Sequence, residues 1–140
     1  MNHQALAEEI ARRFGPLDRA SQLLGIRLVE MHPGRVRMTM RVTEQMVNAQ
    51  QVCHGGLIFT LADTSFGYAS NSHNQRALAA SCSVEFLAPA QVGDELTAEA
   101  TEVAHSGRTR VYDVRVTNQR DELIALFRGK STTVKGAWVE

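Results

Sequence analysis

Charge of either sign is in no excess in this sequence: 15 Lys and Arg balance 15 Asp and Glu across 140 residues. A neutral chain has no long-range pull towards nucleic acid or an anionic membrane surface, so neither is expected as a partner. No run approaches the roughly 20 apolar residues that cross a bilayer. The opening stretch MNHQALAEEIARRF places Glu8 and Glu9 where a secretory signal would be apolar, so a cytoplasmic protein is expected. Cysteine is scarce. Cys53 and Cys82 form no CxxC pair and no disulfide framework, and both read as reduced, buried small hydrophobes. The five histidines (His3, His32, His54, His73 and His105) lack metal-ligand spacing, so no metal is expected. No G-x-S-x-G elbow is present, which argues against a serine hydrolase.

What is present is enough chain for one domain with a core, expected over residues 1–140 as a helical extension (1–24) and a body (26–134). Residues 4–14 and 16–24 read as short helices, with Pro16 in the first turn of the second and Gly25 as its stop. Leu17, Ala20, Leu23 and Leu24 share a face expected to lie against the body. From Ile26 the period becomes two. Residues 26–31 and 35–42 read as strands joined by a turn at His32-Pro33-Gly34, with Val36, Met38, Met40 and Val42 inward. Further strands are expected over 77–88, 95–104, 108–117 and 122–134, the short connections making antiparallel neighbours. Leu96, Ala98 and Ala100 should share one face, and Tyr112, Val114 and Val116 should face inward.

Between the strands lies HGGLIFTLADTSFGYASNS, residues 54–72, apolar on nearly every side and so expected to be buried all round. A sheet that covers such a helix must wrap around it, which makes the fold class α+β. Asp63 is the only acidic side chain in this run. A carboxylate there is costly unless paired or used. It bonds a neighbour such as Thr60 or Thr64, or it does chemistry. His54-Gly55-Gly56 opens the same helix. It reads as a plain turn or, since backbone N–H groups there lack intrahelical partners, as a cradle for a developing oxyanion. Asp63 lies eight residues beyond Gly55, about 12 Å at roughly 1.5 Å per residue. Groups serving one acyl carbon must both lie within about 3 Å of reacting atoms. If both act, a second copy with its helix antiparallel must supply one of them, so the site is shared across a twofold dimer.

The segments VNAQQVCHGGLIFTLADTSFGYASN, VEFLAPAQVGDELTAEA, GRTRVYDVRVTNQ and LIALFRGKS, spread over residues 20–133, resemble the hotdog-fold thioesterases of phenylacetic-acid degradation. That resemblance implies a hotdog fold, one long helix wrapped by a curved antiparallel sheet. It implies hydrolysis of acyl-CoA thioesters, with phenylacetyl-CoA and its ring-hydroxylated forms as substrates, in dimers of dimers. No cofactor is implied, coenzyme A being part of the substrate. Carried onto this chain, Asp63 becomes the nucleophile or general base, and the Gly55 N–H polarises the thioester carbonyl of the partner's substrate. Asn48 and His54 position water, carbonyl or leaving sulfur, with Gly56 and Thr64 beside the substrate. Asn48-Ala49-Gln50 departs from the family's usual Asn-Gly-His, so any role of that histidine falls to Gln50 or is lost.

Residues 85–102 carry five acidic and no basic side chains, while 103–130 carry six basic against three acidic. Cross-strand pairing on an exposed face accounts for most of these. Arg108, Arg128 and Lys130 remain candidates for the coenzyme A phosphates. Two other readings compete with the enzyme's carboxylate. Cys53 sits at a helix start that would stabilise a thiolate. A non-catalytic acyl-CoA sensor would use the same pocket. No DNA-reading element is visible, and the Asp and His spacing of a hotdog hydratase is absent.

Overall fold

In a computed structural model, which describes residues 2–140, three helices and six strands follow one another along the chain. Helix α1 (His3–Phe14) begins where the Asn2 side chain accepts from Ala5 N–H. A 3-10 turn (Gly15–Leu17) leads into α2 (Arg19–Leu24), which Gly25 ends at φ +69°. Strands β1 (Arg27–His32) and β2 (Arg35–Arg41) precede α3 (Gly55–Ser70). Four strands complete the fold: β3 (Ala77–Phe86), β4 (Glu95–Ser106), β5 (Thr109–Thr117) and β6 (Leu123–Thr133). Every pairing is antiparallel, in the order β1-β2-β4-β5-β6-β3. The curved sheet packs all six strands against α3, the hotdog arrangement.

Alternation holds where it was expected. Val36, Met38, Met40 and Val42, then Leu96, Ala98 and Ala100, then Tyr112, Val114 and Val116 are all buried. Their polar alternates form the outer face, where Arg37 pairs with Glu99 and Arg128 with Asp113.

Three expectations need correction. Strands β3 and β4 are sequential but not neighbours: β3 pairs only with β6, at the far edge of the sheet. Residues 87–94 between them make no tight turn, and Leu87 and Ala88 instead continue past β6 by donating to the Ile124 carbonyl. The α2 face is rotated, leaving Leu17 70% and Leu23 85% exposed. Asp18 accepts from both the backbone N–H and the hydroxyl of Ser21, which turns Ser21 inward in place of Leu17 and Leu23, while Leu24 packs half-buried against the core as expected. Helix α3, finally, is not covered on all sides. Gly56 is exposed and Thr60, Asp63, Thr64 and Gly67 are half-buried, a stripe that the sheet leaves uncovered.

Beyond the C-terminal end of α3, two clusters fix the fold. Trp138 donates its indole N–H to Asn71 Oδ1 at 2.9 Å and stacks edge-on against Phe14 of α1. Asn74 clamps the backbone of Trp138 and Val139 with its side-chain amide. Nearby, Glu102 on β4 accepts from Arg110 at 3.0 Å, Tyr112 at 2.9 Å and His73 at 2.9 Å. Burial raises the Glu102 carboxyl, but the bonds from Tyr112, His73 and Arg110 outweigh it and hold the group below its ordinary value.

That depression fixes the sign of a pH effect. The cluster's stabilisation is fully present above the ordinary Glu value of 4.5 and drains away as pH falls through the lower folded value. Glu102→Gln leaves the Arg110 guanidinium, whose side chain is 12% exposed, without its counter-charge. Urea unfolding at pH 7 should give a loss of about 2–3 kcal/mol for this variant. Its deficit should shrink as wild type is titrated below pH 4.5.

Candidate functional site

The segment before α3 is tied down from both sides. Asn48 Oδ1 accepts from Gln50 N–H at 2.9 Å and Val52 N–H at 3.5 Å, closing a tight loop in which Gln51 takes φ +65°. Cys53 N–H donates to Ala90 and His54 N–H to Met46, so the helix start is pinned to two separate stretches. Asn48 therefore shapes the loop with its carbonyl oxygen, while its amide nitrogen has no partner among the described residues. Gln50 is exposed, and only its backbone takes part in this loop.

His54 is the N-cap. Its Nδ1 accepts from Gly56 N–H at 2.9 Å, so the ring proton resides on Nε2. The two glycines thus differ. The Gly56 N–H is occupied, and a Cβ there would meet His54 Nδ1 at 3.0 Å and displace the cap. Gly55 N–H has no acceptor among the described residues and remains available, with the positive end of the helix dipole behind it. The Phe86 ring lies over Gly55, where a Cβ would meet it at 3.1 Å. Beside that N–H opens a hollow of about 330 Å³, lined without charge by Val52, Cys53, Ile58, Phe86, Leu87 and Pro89 among others.

Asp63 lies on the uncovered stripe of α3, in line with Gly56, Thr60 and Gly67. Thr60 donates its hydroxyl to the Gly56 carbonyl at 2.8 Å, so it does not hold the carboxylate. Thr64 neighbours Asp63, half-buried. The side chain that does reach Asp63 is Cys82 of β3, whose thiol donates to Oδ1 at 3.9 Å. Burial raises the Asp63 carboxyl above its ordinary value of 3.8, offset only in part by the thiol. A half-buried carboxylate with one weak donor is a competent proton acceptor at neutral pH.

Sequence patterning does not single out Cys82, and the expectation that it is buried is wrong: it lies exposed on the edge strand. Its neighbour in space is 19 residues away, and only the β3–β6 pairing brings them together. Cys53 is buried as expected, and burial pushes its thiol up to about 11. It is therefore protonated at neutral pH and no nucleophile.

The basic candidates separate as well. Arg128 is held by Asp113 through two bonds, at 2.6 and 2.9 Å. Arg108, in the β4–β5 turn, and Lys130, on the outer face of β6, are exposed and have no carboxylate within ion-pair distance among the described residues. The same residues contain no convergent group of three His, Cys, Asp or Glu side chains. No helix among them is long and apolar enough to cross a membrane.

Comparison with known proteins identifies the family. Residues 50–125 match the model of the thioesterase superfamily. The acyl-coenzyme A thioesterase PaaI of Escherichia coli is 48% identical over 120 residues, 85% of this chain and 85% of that protein. The solved structure of the E. coli PaaI protein, from the phenylacetic acid degradation operon, superposes with a TM-score of 0.95, covering 97% of this chain and 99% of the other at 41% identity. A Streptococcus mutans protein solved bound to acetyl-CoA is 29% identical, with a TM-score of 0.77 over 80% of this chain and 90% of its own. The chain belongs to the thioesterase superfamily.

Proposed function

We propose that this protein is an acyl-CoA thioesterase acting on aromatic substrates of the phenylacetyl-CoA and hydroxyphenylacetyl-CoA type, and that its two sites are shared across a homodimer. The observation that carries the reading is the pairing of Asp63, half-buried with a single weak donor, with the free Gly55 N–H on the same helix. The activity named for the E. coli relative, the operon in its structure's description and the uncharged hollow beside Gly55 support the aromatic acyl group.

At about 1.5 Å per residue the two groups stand about 12 Å apart, too far to serve one carbonyl within a protomer. An antiparallel second copy removes that difficulty. Strand β3 favours such a partner: it is an unpaired edge, ten residues long, with Glu85 its one charge. Natural edge strands that stay unpaired are usually protected by several charges or proline; beyond Glu85, β3 has neither, and its one irregularity, at Ala80, leaves Ser81–Phe86 regular. The half-buried stripe of α3, left uncovered by the sheet and met at its margin by Cys82 of β3, would be covered by the same association. A dimer of such dimers is the further assembly we propose.

In the reaction, Gly55 N–H of one protomer polarises the thioester carbonyl. Asp63 of the other takes a proton from water as the water oxygen bonds to the carbonyl carbon. The resulting oxyanion is held at the helix N-terminus. Its collapse breaks the C–S bond, and the departing thiolate takes the proton that Asp63 carried, giving free acid and coenzyme A. The Asn48 amide and His54 Nε2 supply donors beside water and the leaving sulfur, and Thr64 borders the substrate. Gly56 contributes room for the cap and not a donor. Arg108 and Lys130 hold the nucleotide phosphates, whereas Arg128 is already neutralised by Asp113. No metal or cofactor takes part.

Asp63→Asn should lower kcat for phenylacetyl-CoA by about 10²–10⁴-fold, as measured by thiol release. Equal rates would sink the enzyme reading and leave a sensor that binds acyl-CoA without hydrolysing it. Single turnover in ¹⁸O-labelled water should place no label in Asp63, since label there would mean direct carboxylate attack. The base must be ionised, so kcat/KM should fall as pH drops through the raised pKa of Asp63. Mixing tests the shared site. Gly55→Pro removes the N–H at a helix position whose backbone tolerates proline, and Gly55→Ala, which meets the Phe86 ring in the same way but keeps the N–H, controls for that contact. Alone, Gly55→Pro and Asp63→Asn should be inactive, whereas co-expressed they should regain part of the wild-type rate through heterodimers.

A further inference from the structure

We infer that Cys82 is a positioning residue for Asp63: its thiol, donating to Oδ1 at 3.9 Å, orients the carboxylate while leaving the second oxygen free to accept a proton. The packing explains why a strand residue reaches so far into a helix face. Cys82 pairs with Gly129 in the β3–β6 register. A Cβ on Gly129 would stand 2.8 Å from the Phe66 ring, so here the sheet meets α3 as closely as bare backbone allows. Phe66 is one turn beyond Asp63, and the same close approach carries Cys82 to the carboxylate.

No other group competes for this role. Thr60 is spent on its own helix. Within the protomer, burial and the Cys82 thiol act on the Asp63 carboxyl, with no Lys, Arg, His or second carboxylate beside it among the described residues; in the proposed dimer the partner's helix start and the partner's His54 would face it as well. A thiol is a weak donor. A hydroxyl or amide in its place would hold the carboxylate more firmly and make it a poorer proton acceptor. A thiol satisfies both needs. Although the residue is exposed, partial desolvation of its sulfur beside α3 and the facing Asp63 charge raise the Cys82 thiol and keep it protonated, which makes it a donor and not a rival nucleophile.

The kinetic consequence rests on the proposed hydrolysis, but the contact itself is open to a direct test. Cys82→Ser and Cys82→Ala have similar volume and differ in whether they can donate, so a packing effect would be common to both. The Asp63 carboxyl carbon is followed by ¹³C NMR through a pH titration of the full-length protein. Its midpoint should move down by roughly half a pH unit in the Ser variant and up by a similar amount in the Ala variant. In turnover, Cys82→Ala should lose about three- to tenfold in kcat with KM within about twofold. Cys82→Ser should recover most of that rate, with its acidic limb displaced to lower pH. Identical midpoints in the three proteins, or Ser and Ala shifts of the same sign, would overturn the assignment. Absence of turnover in wild type would instead remove the thioesterase reading, while the titration would still decide the role of Cys82.

Discussion

The sixteen residues of α3 carry a single charge, and six strands close on the helix from one side. Taking that apolar rod out of water is the main source of free energy in the fold, and the other elements are arranged around it. Strands β2, β4 and β5 contribute inward Val, Met, Leu, Ala and Tyr side chains that are fully buried against it. One sheet cannot cover a cylinder, however. The remainder is the stripe through Gly56, Thr60, Asp63 and Gly67, and the one carboxylate of the helix sits there. Burial and reactivity are therefore set by one packing limit: the sheet covers enough of the helix to raise the Asp63 carboxyl, and too little to bury it.

Small residues let this packing double as chemistry. A side chain at Gly129 would push β6 and β3 away from Phe66, and with them the thiol that touches Asp63. At Gly56 a side chain would dislodge the histidine that caps the helix, and at Gly55 it would strike Phe86 beside the free N–H. Each glycine removes a different obstacle, and none of the three is in a turn.

Much of this was legible in the chain because it depends on local periodicity. The change from a helical repeat to alternation at Ile26, the apolar run after His54 and the lone Asp63 are all readable without coordinates. Resemblance supplied the order of events that periodicity lacks. What stayed hidden depends on distant parts meeting. The pairing of β3 with β6 rather than β4 follows from how the sheet closes on α3, not from the length of residues 87–94. Cys82 gained its neighbour only through that closure, so a reading by hydrophobicity placed it in the core. Leu17 and Leu23, unlike Leu24, turn outward for a local reason. The pattern pointed inward, but Asp18 captured Ser21 and set the rotation. The resemblance offers His54 as a group that positions water, carbonyl or leaving sulfur, and its bond to the Gly56 N–H is visible only with the rotamer.

The seam made by Trp138 has a bearing on the order in which the molecule is built. Arg13 of α1 donates to the Trp138 carbonyl across 125 residues of sequence, and Phe14 stacks against the indole. Asn71 and Asn74, at the far end of α3, grip the same segment. The other end of α1 is held by β1, where Gln4 donates to the Met31 carbonyl at 2.9 Å, so the two ends of the helix are fastened by parts of the chain made at very different times. Contacts so distant in sequence form late, once the loop between them has been closed by other interactions. The first helix can therefore settle on β1 early, while the docking of its C-terminal turn on Trp138 is among the last contacts to close.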